Sequence, residues 1–395
     1  MMNNQPEQPL TQSTPSYLRL QFTVFALVAA SFTNIYITQP LLPVLQAEFA
    51  TSMVIISTSI SAVIFGITLA NLPFGALADR IPIQPIILGG GFMVALGGVL
   101  CALTDNLGLF IGARFLQGLF IPALTTCLAA YLAKTLPPDR LNVVMGSYVS
   151  ATVCGGLGGR LLGGWVNRFS DWRYALLGAA ALILISVIAA LFNLPRHSHQ
   201  PLEKQKPTIS FLNLLTRPEL RLIYACAAGS FAIFSSLFNY LPFRLTAAPF
   251  ALSSDSITLI YLVYVVGIFT GPAAGKLCNR IGTGPTMISG TIIFALSLLL
   301  LTQAHLGAII GGLLGVCAGF FTIHAAAIGT LNRKLDHAQG RANALYVLSY
   351  YLGGCGGITI SGLIYENFDW NAVIIFCLAL LSMPLLTGLS EKKAD

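Results

Sequence analysis

Charge is what this sequence has least of. Only 9% of its 395 residues are Asp, Glu, Lys or Arg, against roughly a quarter in soluble domains. Hydrophobic residues make up 55% and mean hydropathy is +0.79. That composition excludes a water-soluble globular chain and points to an integral membrane protein. Chemical motifs are scarce too. The eight cysteines (Cys101, Cys127, Cys154, Cys226, Cys278, Cys317, Cys355 and Cys377) all fall in apolar segments and none forms a C-x-x-C pair. They read as small packing residues rather than disulfides or ligands of zinc, haem or an iron–sulfur cluster. No P-loop is present, which speaks against ATP as the direct energy source. No H-E-x-x-H, nucleophile elbow or paired intramembrane acid supports an enzyme, and no attached soluble domain supports a sensor. No metal or other cofactor is expected.

What is present is a run of apolar segments. A bilayer core of about 30 Å takes about 20 residues of helix. Twelve segments meet that length, at 18–40, 53–77, 85–104, 107–132, 142–166, 173–194, 220–243, 256–277, 285–303, 306–331, 342–365 and 370–389. The expected class is an all-α membrane protein of twelve transmembrane helices. The polar start lacks the basic residues and short apolar core of a cleaved signal, so the first segment is expected to stay as a span. The domain reading is a disordered tail at 1–17, six helices over 18–194, a linker at 195–219, six helices over 220–389 and a tail at 390–395. Within the linker, "ISFLNLL" fits either a solvated strand of chain or a short helix on the membrane surface.

The formal charge of +7 comes from 21 Lys and Arg against 14 Asp and Glu. With both termini in the cytoplasm, sixteen of the basic residues fall on the cytoplasmic side. Only Arg168, Arg173 and Arg244 fall outside, and Arg114 and Arg160 stay within the membrane. This positive-inside bias sets the orientation and accounts for the charge without a nucleic-acid partner.

The two halves resemble each other. "GALADRI" at 75–81 aligns with "GKLCNRI" at 275–281, and "GGLGGRLLGGWVNRFSDW" at 155–172 with "GGCGGITISGLIYENFDW" at 353–370. The offsets, 200 and 198, are nearly equal, so a duplicated six-helix unit is the simplest source. Parallel repeats of this kind place a substrate site near the bilayer midplane between the halves. Features found in one half only are the better functional candidates. Arg160 aligns with Ile358 and Arg114 with Gly315, so both intramembrane arginines belong to the N-terminal half alone.

These segments resemble the major facilitator superfamily over the whole chain after the tail. "GALADR" is similar to the loop motif G-x-L-A-D-R-x-G-R-K/R, with Gly75, Asp79 and Arg80 matching and Pro82, Ile83 and Gln84 departing. "RFLQG", Arg114 to Gly118, fits R-x-x-Q-G. The fifth segment is similar to the drug/proton antiporter motif G-x8-G-x3-G-P-x2-G-G through Gly146, Gly155, Gly159, Gly163 and Gly164, with Arg160 at the proline position. The resemblance implies a bacterial inner-membrane efflux permease, a proton-coupled secondary transporter of small organic compounds, acting as a monomer. It also implies a gate latch between Asp79 and the start of the eleventh span near Arg341, with Arg80 beside it.

Physical chemistry assigns candidate roles. Gly155, Gly159 and Gly163 form a bare stripe that lets helix backbones approach, and Gly353 and Gly357 repeat it. A charge near the bilayer centre costs several kcal/mol unless paired or hydrated. Arg160 fits either a side chain reaching for headgroups and backbone carbonyls or one facing a polar cavity between the halves. Arg114, through the motif, favours the interior role. No carboxylate falls clearly mid-membrane, which argues against an exchanged cation. Two arginines in one cavity would instead favour an organic anion, the second functional reading. Asn34 and Thr38 share one face of the first span. Gln117, Tyr240, Tyr346 and Tyr350 add polar and aromatic lining, and His324 is the one histidine well inside a span, a candidate proton carrier.

Overall fold

The computed structural model describes residues 14–78, 80–194, 210–335 and 339–393. Twelve long helical stretches build it: α1 (Leu18–Glu48), α2 (Met53–Leu77), α3 (Ile83–Leu103), α4 (Leu107–Thr135), α5 (Pro138–Phe169), α6 (Trp172–Asn193), α7 (Pro218–Thr246), α8 (Ser254–Ile281), α9 (Thr283–Leu300), α10 (Leu306–Arg333), α11 (Gly340–Asn367) and α12 (Trp370–Lys392). Eleven are long and apolar enough to cross a bilayer. The other, α5, has 32 residues, about 48 Å at 1.5 Å per residue. Its glycines and Arg160 dilute its hydropathy. The described residues contain no strand.

Helix begins at Thr14, so the last four residues of the predicted tail are already helical. Residues 1–13, the linker residues 195–209 and the predicted latch residue Asp79 lie outside the described residues. At the end of the linker, Phe211–Thr216 forms a short helix against α7 and α11, with Leu214 buried. Ser210 caps it, its hydroxyl accepting from Leu212 N.

The packing repeats with a period of six helices. α1 packs on α5 and α6, α2 on α4, and α3 on α4 and α6. Correspondingly, α7 packs on α11 and α12, α8 on α10, and α9 on α10 and α12. The glycine stripes explain the tightest pairs. A Cβ on Gly155, Gly159 or Gly163 would run into the backbone of Ala29, Thr33 or Ile37 on α1. One on Gly353 or Gly357 would meet Ala228 or Ala232 on α7. Without side chains there, the backbones touch and dispersion contacts accumulate along the seam. The shared Asp-Trp pair has a local cause as well. Asp171 and Asp369 cap α6 and α12, accepting from Arg173 N and Ala372 N at 2.8 Å each, and the following Trp172 and Trp370 are buried.

The halves meet chiefly at the end of the bundle opposite the chain termini, the far face. There Thr258 at the start of α8 packs on Gly164 of α5, and Arg168 pairs with Asp255 at 3.1 Å. α7 touches the last turns of α1, and α2 lies along α11, with Val54 against Gly362 and the Cys355 thiol 3.4 Å from Ser61 O.

Candidate substrate site

The site begins with a break in α1. "TQPLLP", Thr38 to Pro43, carries two prolines, and proline has no N–H to give to the preceding turn. Regular helix therefore stops at Tyr36, and a 3-10 turn at Gln39–Leu41 leads into a short helix, Leu42–Glu48. The break leaves carbonyls at the helix C-terminus without intrahelical donors. Arg114 on α4 supplies them: Nη1 donates to Asn34 O at 2.7 Å and Nη2 to Ile35 O at 2.6 Å. The positive charge also sits at the negative end of the α1 dipole.

Arg114 is fully buried and anchors a wider network. Nη1 also donates to Gln117 Oε1 at 2.7 Å. Gln117 Nε2 donates to Val94 O at 3.1 Å and Asn34 Oδ1 at 3.4 Å, and Asn34 Nδ2 donates to Ala30 O and Ala179 O. One polar network thus ties α1, α3, α4 and α6 together inside the N-terminal half. Arg114, Gln117 and Asn34, expected on the cavity, are placed within that bundle. The R-x-x-Q-G spacing sets Arg114 and Gln117 one helical turn apart, on one face of α4.

Arg160 is placed differently. It lies next to the glycine stripe on α5 and faces a cavity between the halves, with only 2% of its surface exposed. Its Nε donates to Gln39 Oε1 at 2.6 Å, Nη1 to Gly156 O at 2.7 Å and Nη2 to the Tyr264 hydroxyl at 2.9 Å. The guanidinium carbon lies 4.1 Å from the Tyr36 ring centroid, 4.2 Å from that of Tyr264 and 5.4 Å from that of Tyr261. Cation–π contacts reach about 2 kcal/mol when desolvated, so they offset part of the cost of burial. Among the described residues no carboxylate pairs with Arg160. Its charge is solvated by dipoles and rings but not neutralised.

The cavity measures about 90 Å³, several times the roughly 10–15 Å³ that one water needs on the same scale. Tyr36, Gln39, Thr152 and Arg160 line it from the N-terminal half. The C-terminal half contributes an aromatic wall of Phe231, Phe234, Tyr264, Phe320, Phe321 and Tyr350. Phe231 stacks on Tyr350 at 3.7 Å and Phe234 on Phe320 at 4.1 Å. Tyr264 sits in a 3-10 segment, Tyr261–Val265, that interrupts α8, whereas α2 is continuous helix. Such a segment within a helix often marks a hinge or strain.

Other expected residues lie elsewhere. His324 is one layer behind the wall, stacked on Phe320 at 5.7 Å, and its Nδ1 shares a 2.9 Å hydrogen bond with the Tyr346 hydroxyl. Tyr240 is buried on α7, donating to Ile358 O on α11 at 2.9 Å. Thr38 is buried in the α1 break, its hydroxyl without a partner among the described residues. Gly164 contacts α8 rather than α1, and Gly146 has nothing within 4 Å of its Cβ position. Arg80 is exposed, and the Arg341 guanidinium lies 5.3 Å from the Phe211 ring.

Tyr36, Gln39, Tyr264 and the phenylalanines of the wall were not singled out from the sequence. The structure places Gln39 in the repeat, because the glycine contacts index the two halves. Ala29 and Thr33 face Gly155 and Gly159 as Ala228 and Ala232 face Gly353 and Gly357. On that register Tyr36, Gln39 and Arg160 correspond to Ser235, Phe238 and Ile358. Arg160, Tyr36 and Gln39 thus have no counterparts of their kind in the C-terminal half.

The sequence profile of the Major Facilitator Superfamily matches residues 24–269 and 245–389. The chain belongs to the Major Facilitator Superfamily. This superfamily member is a multi-pass membrane transporter and not an enzyme. It is 30% identical over 388 residues to "Inner membrane transport protein YnfM" of Escherichia coli K12, covering 98% of this chain and 93% of that one. It is 26% identical over 371 residues to "Uncharacterized MFS-type transporter YybF" of Bacillus subtilis 168, covering 92% and 91%. Among solved structures, the superfamily member is similar to a bacterial homologue of the human lysosomal transporter Spinster. The TM-score is 0.73 for its inward-facing, unoccupied form and 0.75 for its inward-facing, occupied form, at 12% identity and 97% coverage of this chain in both.

Proposed function

We propose that this chain is a secondary transporter that exports small organic compounds across a bacterial inner membrane by alternating access, in exchange for protons, as a monomer with both termini in the cytoplasm. The observation that carries the reading is the cavity itself. It lies between two six-helix halves, is lined from both, and holds a buried cation with no acid beside it among the described residues. Contacts between the halves at the far face support a state whose cavity faces the cytoplasm. Among the described residues His324 is the histidine nearest the wall, stacked on Phe320 and bonded to Tyr346, which supports it as the proton carrier. Asp79 and Arg341 remain the proposed latch of the opposite state.

A second reading, transport of organic anions, is favoured by Arg160 alone. Arg114 is turned into the N-terminal bundle, where its terminal nitrogens donate to α1 and Gln117, and it is not among the residues that line the cavity. A cationic substrate would have to enter against the field of Arg160.

The test is flux in proteoliposomes whose outward face is the cytoplasmic one, using small organic solutes selected by thermal-shift screening of the purified protein. With an acidic lumen, protons leave and the solute should accumulate inside. Accumulation that is indifferent to the gradient would exclude proton coupling.

A further inference from the structure

The cavity combines one buried cation with an apolar lining drawn from both halves, Phe32, Ile60 and Ile64 among it on the N-terminal side. Its N-terminal wall presents one buried cation, and its C-terminal wall presents stacked rings. The guanidinium is nearly caged. The Tyr36 and Tyr264 ring centroids lie 4.1 and 4.2 Å from its carbon. Nε, Nη1 and Nη2 each donate one hydrogen bond. Each terminal nitrogen carries a second N–H, and among the described residues no acceptor is committed to either. What remains for a ligand is these two in-plane N–H groups, donors suited to a carboxylate.

From this geometry we propose that the transported compound is an aromatic monocarboxylate. Its carboxylate is held by the open edge of Arg160, and its ring lies against the Phe231–Tyr350 and Phe234–Phe320 stacks. The proposal rests on the transport reading above and names its substrate class. One cation and no second basic side chain on the wall match one negative charge; a dianion would bury an uncompensated charge. The flat walls favour a ring that can stack offset or edge-on. A ligand held in this way touches both halves at once, so its occupancy bears on whether they can re-pack around it.

Isothermal titration of the detergent-purified, full-length protein tests this with five probes of similar size. Benzoate should bind. Benzamide and benzylammonium, which lose the charge or reverse it, should bind at least about tenfold more weakly, the scale of a charge-assisted bidentate contact. Cyclohexanecarboxylate and terephthalate should each bind more weakly than benzoate, the first for lack of a π face and the second for its extra charge. Arg160→Gln, with an unchanged melting temperature, should lose at least about tenfold in benzoate affinity, and Arg160→Lys should not restore it. Wild-type affinity in a folded Arg160→Gln variant would overturn the proposal. So would equal binding of benzoate, benzamide and benzylammonium, or no binding of any probe. If Arg160→Gln does not fold, the probe series on the wild-type protein decides alone. Gradient-driven flux of other solutes would survive a negative result, so the transport reading can stand or fall separately.

Discussion

The two intramembrane arginines turn out to have opposite surroundings. Arg114 donates from its terminal nitrogens to carbonyls of the broken α1 and to Gln117, within one bundle, and its Nε has no partner among the described residues. Arg160 spends one on Tyr264 of the other half and faces the cavity. Arg114→Leu should therefore destabilise the protein. It leaves Asn34 O, Ile35 O and Gln117 Oε1 buried without their donor, at a cost of about 2–4 kcal/mol in total. Thermal unfolding in detergent should show a lowered midpoint, with transport per folded molecule retained. A separate outcome is expected at His324. Glutamine can keep a hydrogen bond to Tyr346, so His324→Gln should leave benzoate affinity within about threefold, less than the effect of one charged contact. The acceleration of flux by a pH gradient should disappear. The sequence showed that both arginines were intramembrane and specific to one half. It could not separate them, because the difference lies in what the α1 break presents to each, and that depends on the packing of a neighbouring helix.

At the scale of elements, the glycine stripe was legible and its partner was not. Spacing of four residues marks a bare helix face, but only the structure shows that the face meets α1 inside the half. The break in α1 is the second element-scale feature. The two prolines at 40 and 43 encode it, yet apolar length alone extends the first span to residue 40, four residues past the last of the regular helix at Tyr36. Hydropathy is blind to a missing N–H. The same break aims Gln39 at Arg160, which is why that contact could not be read from either segment separately. The element-scale prediction contrasts two glycines of α5. Gly155→Val must push against the α1 backbone and should cost about 1–3 kcal/mol, read as a lower unfolding midpoint. Gly146→Ala meets open space and should be neutral or slightly stabilising. Equal effects at the two positions would show that the stripe is not a packing seam.

At the scale of the whole molecule, the duplication, the number of long helices and the family were legible, because repeats, apolar runs and motifs are sequence properties. The conformational state was not. Closure at the far face depends on contacts between residues far apart in sequence, such as Thr258 with Gly164 and Arg168 with Asp255. That ion pair is largely exposed, with side chains 55% and 32% accessible, so it adds little stability; its position is what matters. In a background without native cysteines, Arg168→Cys and Asp255→Cys joined by a short bis-maleimide should hold the far face shut. Flux should then stop while binding from the cytoplasmic side persists. Undiminished flux in the linked protein would remove alternating access at this face.

Arg160 is the group proposed to hold the transported compound. Counterflow measures this directly: entry of labelled benzenesulfonate, an aromatic monoanion that keeps its charge and so does not leak through the bilayer as a neutral acid, into proteoliposomes preloaded with the unlabelled compound. The wild-type protein should show a transient overshoot, and Arg160→Gln of equal thermal stability should show none. An equal overshoot in both would contradict the account.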